Sequence, residues 1–194
     1  RGYASPRAFY VEKLAEGIMK ELSELNMPKT VFKVAVNSVP ELGFTDDGTD
    51  QVEFLISPNP GEPLKPLSKI ASGGEMSRIM LAIKVMLADM DSVPTLIFDE
   101  IDSGVSGKAA SKVGEKLREL AGKHQVLCVT HHAQIASLAH HHILVAKEIK
   151  GEKTVTSVRQ LTGQDREDEI SRLLSGERAT DTSRKLAREL LELK

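Results

Sequence analysis

Two short runs constrain this chain more than anything else in it. Thr95-Leu96-Ile97-Phe98 and Gln125 to Thr130 are apolar at heart, and a helical stretch leads into each. A brief unbroken apolar run suits a strand covered on both faces. Ahead of the first run, Met76, Ile79, Met80, Ile83, Leu87 and Met90 recur at helical spacing. They predict a helix over about 73–90 with that face in the core. A second helix is predicted between the runs, over about 108–121. Helix, buried strand, helix, buried strand is the pattern of an α/β chain, a mostly parallel sheet flanked by helices. With 194 residues the chain has enough length for one good core and a small appendage.

Around this centre the chain reads in order. Val11, Leu14, Ile18, Leu22 and Leu25 predict a helix over 5–26, a narrow seam that suits a coiled-coil end as well as a surface helix. Asn26-Met27-Pro28 ends it. Alternation predicts strands over 31–38 and 52–56, a hairpin across the turn-rich stretch 42–48. Ser57 to Pro66 holds four prolines and a glycine, so an ordered but irregular loop is expected. Beyond His131 come a short helix over 133–138, strands over 142–148 and 154–160 about Lys150-Gly151-Glu152, and helices over 165–175 and 180–193. There is no internal repeat and no low-complexity segment.

Composition narrows the partners. The net charge is −2 with 28% charged residues, so no global basic field points to nucleic acid. Aromatics make up 4% and Trp is absent, which argues against base-stacking platforms. The single cysteine, Cys128, sits in an apolar run and reads as a small buried hydrophobe, without a disulfide and in keeping with a reducing cytoplasm. No signal peptide and no bilayer-length apolar run is present, so a soluble, intracellular chain with no membrane partner is expected. A first residue of Arg1 rather than Met reads as a piece of something longer.

Three features carry chemistry. Ile70-Ala71-Ser72-Gly73-Gly74-Glu75-Met76-Ser77-Arg78 opens the long helix, and paired glycines there leave backbone N–H groups uncovered to an anion. The Ser72 hydroxyl and the helix dipole add to that seat. Equally, Ser72 and Glu75 have the spacing of a capping box. Asp99-Glu100 follows the first apolar run, at the carboxyl end of a strand, where open parallel sheets bind ligands. Asp99 there suits Mg²⁺ held through water, and Glu100 suits polarising an attacking water; two acids also cap loops. Thr130-His131 follows the second run, where His131 suits a hydrogen bond to a γ-phosphate oxygen or stands simply as a surface histidine. For His132, His140, His141 and His142 no Cys or carboxylate completes a first shell at usual spacing, so no zinc site is assigned and the triple His reads as a polar strand edge. No G-x-x-x-x-G-K-[ST] occurs, so the cradle for α/β-phosphates is missing and the chain carries half of a nucleotide site.

Ser-Gly-Gly-Glu, Leu-Ile-Phe-Asp-Glu and Val-Thr-His, in this order, are similar to the C-terminal half of an ABC-type ATPase. The resemblance implies a signature motif at Ser72-Gly73-Gly74-Glu75 and a Walker B over Thr95 to Asp99, with Glu100 as catalytic acid and His131 as switch histidine. Asp102 to Gly107 becomes the D-loop, with Ser103, Gly104 and Ser106 toward nucleotide. Asp99-Glu100-Ile101-Asp102 looks like the SMC branch rather than transporters, which place Pro-Thr or Pro-Ser after the Glu. Ser57 through Arg78, with Ile101 to Gly107, resembles the RecN family of DNA repair proteins, a likeness running from about Leu22 to the C-terminus.

That resemblance implies the C-terminal lobe of an SMC/ABC-type ATPase head over 28–194, with residues 1–27 as the end of a coiled coil. It implies ATP and Mg²⁺ as cofactors, and as partners an N-terminal Walker A lobe of the same protein and a second head in a head-to-tail dimer. Ser72, Gly73 and Gly74 would then grip the γ-phosphate held by the other head, while Asp99, Glu100 and His131 serve their own. The implied role is ATP hydrolysis with ATP-dependent head dimerisation in DNA double-strand break repair and recombination. DNA is engaged through the full-length protein, in the cytoplasm at the nucleoid, and this chain alone is expected to be inactive. The rival is a non-catalytic ATP-gated docking module, which has no need of Glu100. Arg78 reads as structural, pairing with nearby acids. Three positions depart from the pattern: Arg1–Tyr10 lacks the coiled-coil seam, Ser106 stands at the usual D-loop Asp, and His132-Ala133 replaces Leu-Pro.

Overall fold

The first helix shows how local chemistry sets the frame. In a computed structural model that describes residues 4–38, 50–150, 153–176 and 179–192, α1 runs Ala4–Glu24. Ile18, Leu22 and Leu25 on it and just past it are fully buried. Asn26 then takes φ +66°, a left-handed conformation that Asn tolerates better than most residues. The Met27 N–H donates to Leu22 O at 2.9 Å, closing the helix end, and both side chains join the same core. Gly17 lies against Met86 of the next helix so closely that a Cβ would displace the Met side chain.

The released chain forms β1 (Val31–Ser38), antiparallel to β2 (Asp50–Ser57) from Val31↔Ser57 to Ser38↔Asp50. Phe32 turns inward and meets the Phe54 ring at 5.5 Å. The predicted hairpin is therefore present, while its connection over 42–48 lies outside the described residues. In the proline loop the Ser57 hydroxyl reaches the carbonyls of Asn59 and Glu62, and β3 (Lys65–Pro66) adds a short third strand beside β2.

Next come α2 (Gly73–Leu87), β4 (Thr95–Phe98), α3 (Gly107–Leu120) and β5 (Gln125–Cys128). Helix α2 stops before the expected residue 90. Its last turn tightens as Asp91 N and Met90 N both donate to Leu87 O, and Lys84 pairs with Asp91 at 2.5 Å. Met90 is 79% exposed and outside the core. Ile79, Leu81, Ala82 and Ile83 are buried together, so α2 is covered around much of its girth rather than along one stripe. Strands β4 and β5 are parallel, in register from Thr95↔Gln125 to Phe98↔Cys128. Leu96 and Phe98 pack into the core with Ile79 and Val113, but Ile97 is 71% exposed, and Leu127 and Val129 are exposed beside it. The two runs expected to be covered on both faces are thus covered on one.

The remainder is α4 (Ala133–Ala136), the antiparallel hairpin β6 (His142–Lys150) and β7 (Lys153–Leu161), and the pair α5 (Gly163–Ser175) and α6 (Asp181–Glu192). Ala133, Ala136, Ile170 and Ala187 make a second small core. The expected turn at 151–152 lies outside the described residues. The fold is mixed α/β, but the expected mostly parallel sheet is not found. Among the described residues only β4 and β5 run parallel, and β1-β2-β3 and β6-β7 are separate antiparallel sheets. Parallel pairing needs a crossover, and only α3 supplies one between paired strands. No described helix is long and apolar enough to cross a membrane.

Ile79→Ala is expected to cost about 2–5 kcal/mol in urea unfolding, whereas Met90→Ala is expected to stay within about 0.5 kcal/mol of the parent.

Candidate functional site

Because β4 and β5 are parallel and in register, the stretches after Phe98 and Cys128 leave the sheet side by side at its carboxyl edge. The ladder extends one bond further, from Val129 N to Phe98 O at 3.0 Å. The start of α2 closes on the same edge. Ser77 Oγ donates to Asp99 O at 2.7 Å, and Arg78 Nη1 donates to Ser103 O at 2.8 Å and to Ile101 O at 3.3 Å. Arg78 therefore has the structural role expected of it, bonded to loop carbonyls with the charge of Glu75 acting on it as well. Burial pulls its guanidinium below its ordinary value against the charge of Glu75, yet a guanidinium stays protonated in proteins.

Ser72 is the N-cap of α2, accepting from Glu75 N at 3.4 Å, which is one half of the capping box. Gly73 faces Glu100, where a Cβ would stand 2.5 Å from Glu100 Oε2. Gly74 is pressed harder, since a Cβ would meet Ser103 Cβ at 2.8 Å and the backbone oxygens of Glu100 and Ser103 at 3.1 and 3.2 Å. Gly74 is thus required by the loop after β4, whereas at Gly73 only the end of the Glu100 side chain stands in the way. Glu100 itself holds φ +55°, and its N–H donates to Asp99 Oδ1 at 2.9 Å. A left-handed non-glycine residue costs about 1–3 kcal/mol, and such strain gathers at working sites.

Asp102 is 3% exposed. Its Oδ2 accepts from Thr130 Oγ1 at 2.5 Å and from His131 N at 3.1 Å, and His131 Nδ1 lies 3.4 Å away. Burial alone would raise this carboxyl. The bonds from Thr130 and His131, with the His131 charge, outweigh it and leave the group below its ordinary value. Thr130 Oγ1 in turn accepts from His132 N at 3.0 Å. The His131 ring is 76% exposed and rests against His132 at 4.7 Å between centroids. Ligand atoms of Asp102, His131 and His132 fall within 4.8 Å of one another. The carboxylate that spacing could not supply is therefore present in space, though its Oδ2 is already taken by two donors. Gly104 takes φ +71°, and Ser106 starts α3 through its carbonyl, without a side-chain cap. Beneath them the Cys128 thiol is pushed up to about 12 by burial and the charges of Asp102 and Asp99, so it is no nucleophile at neutral pH.

Asp99, Glu100 and His131 thus lie at this edge, and Ser72, Gly73 and Gly74 at the helix start facing it, whereas His140, His141 and His142 lie away from it at the start of β6. What sequence reasoning missed is the bonding of Arg78 and the Asp102–Thr130 pair. The only signal for the pair was an Asp four places after one strand and a Thr two places after the next, and only the parallel register brings them together.

No protein-family model matches the chain. An SMC head domain with coiled coil and joint from Pyrococcus yayanosii superposes with a TM-score of 0.59 at 19% identity, over 86% of this chain and 29% of that one. A chain from a structural study titled for ATP-driven dimerization and DNA-stimulated activation of SMC ATPases gives a TM-score of 0.51 at 16% identity, over 92% of this chain and 100% of that one. The fold is that of SMC head domains. In sequence, the DNA repair protein RecN of Bacillus subtilis is 44% identical over 200 residues, covering 96% of this chain and 34% of the relative. The chain is a RecN homologue, and it spans about a third of the length of the curated relatives it matches.

Gly74→Ala is expected to destabilise the chain by about 1–3 kcal/mol, because backbone must move to admit the methyl. The depressed carboxyl of Asp102 contributes stability above its ordinary value of about 3.9, lost as pH falls through the lower folded value. The stability gap between parent and Asp102→Asn is therefore expected to be full at neutral pH and to shrink below about pH 4, read by urea titration at a series of pH values.

Proposed function

We propose that this chain is the C-terminal lobe of an ATP-binding and ATP-hydrolysing head in a RecN-type protein of DNA double-strand break repair and recombination. Residues 28–194 make the lobe and residues 1–27 the end of a coiled coil, in a protein that works at the cytoplasmic nucleoid. The observation that carries the reading is the shared edge where Asp99-Glu100 and Thr130-His131 emerge beside each other, braced by the glycine start of α2.

The donor set suits a hydrated Mg²⁺, since Asp99 is exposed and only its Oδ1 is engaged internally. Mg²⁺, when bound, neutralises phosphate charge. Glu100 polarises the attacking water, and His131 donates to the γ-phosphate of its own head. Ser72, Gly73, Gly74 and Glu75 present the α2 start to the γ-phosphate of a second head, with Ser103, Gly104 and Ser106 lining the same contact. The open face of Ile97, Leu127 and Val129 supports a covering partner, the Walker A lobe of the same protein, which would also complete a mostly parallel sheet. The ATP-driven dimerization of the SMC ATPases that this fold resembles supports pairing with a second head.

The test is ATP turnover by this chain alone and after mixing with the Walker A lobe of its own protein. Silence alone and activity on mixing is the expected result. Activity alone overturns the half-site, and silence with demonstrated binding favours a docking module instead. In the full-length protein Glu100→Gln is expected to keep ATP binding and trap dimers while turnover falls by about 10²-fold or more. Ser72→Arg is expected to block ATP-driven dimerisation with the fold intact, checked by light scattering and circular dichroism.

A further inference from the structure

We propose that Asp102 is the positioning residue of the switch loop, its sealed carboxylate fixing where the backbone of His131 stands. This deepens the reading of His131 given above and rests on it. An imidazole exposed at 76% has little packing to hold it, so its reach is set by its backbone. That backbone is held by one group. Asp102 Oδ2 takes the Thr130 hydroxyl and the His131 N–H, the two donors on either side of the bond leading into the histidine. With Nδ1 facing Asp102 at 3.4 Å, Nε2 is the ring nitrogen left outward. The His132 N–H to Thr130 Oγ1 carries the constraint on to α4, whose first turn closes on His132 O through Ile135 N and Ala136 N.

The other end of the device is equally fixed. Arg78 grips the carbonyls of Ile101 and Ser103, the residues before and after Asp102, so the carboxylate is presented from a clamped stretch of backbone. A buried carboxylate cannot drift without stranding its charge, and charge-assisted bonds of this kind are short and directional. The helix that begins with Ser72-Gly73-Gly74 and the histidine at the other strand end are therefore one hydrogen-bonded unit, with Asp102 as its middle member.

The test uses the full-length protein, with Asp102→Ala, Asp102→Asn, Thr130→Val, His131→Ala and the double variant Asp102→Ala with His131→Ala. Asp102→Ala and Thr130→Val are expected to lower kcat for ATP by about tenfold or more with KM little changed. Asp102→Asn keeps one acceptor oxygen and is expected to fall between them and the parent. The double variant is expected to be no slower than His131→Ala, as two groups acting through one must be. Hydrogen exchange is expected to speed up at the amides of His131 and His132, with Ile79 and Ile83 unaltered. Full kcat in Thr130→Val and Asp102→Asn overturns the proposal, and so does an equal loss from Asp102→Ala with and without His131. Should Asp102→Ala fail to fold, the Thr130 and Asn variants decide alone. A His131→Ala protein that turns over at the parent rate instead overturns the switch-histidine reading itself, which is a separate failure.

Discussion

A carboxylate nearly sealed from water must be met by donors, and in this chain that requirement falls on Asp102. Around it the loop from β4 to α3 is tied on three sides: by Ser77 and Arg78 from α2, by its own turn from Ser103 N to Glu100 O, and by Thr130 and His131 from the end of β5. Arg78, Ile101 and Asp102 are buried, and a polar group left unpaired at any of them costs about 1–3 kcal/mol. The close approach of α2 at Gly74, the left-handed Glu100 and the direction in which His131 leaves the sheet all follow from satisfying one stretch of backbone and one charge.

Much of the scaffold was legible because periodicity reports which residues avoid water. The strand at 31–38, the hairpin with β2, the helix after Gly107 and the paired helices of the tail emerge where alternation or helical spacing put them. Periodicity does not report what does the covering. Leu96 and Ile97 are equally apolar, yet one is buried and the other bare, because α2 and α3 shield a single face of β4. Met90 fits the helical spacing of α2 but falls in the turn closed by Leu87 O, past the end of the helix. The expectation of a mostly parallel sheet failed for a related reason. Apolar runs identify strands, whereas direction depends on connections, and among the described residues only α3 joins paired strands by a crossover.

The candidate site was legible in its positions and not in its bonds. Glycines at a helix start and acids and a histidine after apolar runs are local signatures, so Gly73, Gly74, Asp99, Glu100 and His131 could be named from sequence. Their resemblance to RecN motifs gave them roles to test. Arg78 and Asp102 act across more than twenty positions, through carbonyls and a threonine hydroxyl that carry no sequence signature. A metal reading of the histidines met the same limit, since the nearby carboxylate comes from a different strand end.

The contact of Gly17 with Met86 has a mechanical consequence. With no side chain at Gly17, α1 rests almost on the last turns of α2, the helix whose first residues face the loop after β4. The helix ahead of Gly17 extends about 20 Å at 1.5 Å per residue. A swing of about 10° about that point carries its tip through roughly 3 Å. Val11, Leu14 and Ala15 on that arm pack against the core, and with no side chain at Gly17 to hold the helices apart, a swing of α1 is passed to the last turn of α2 rather than absorbed between them.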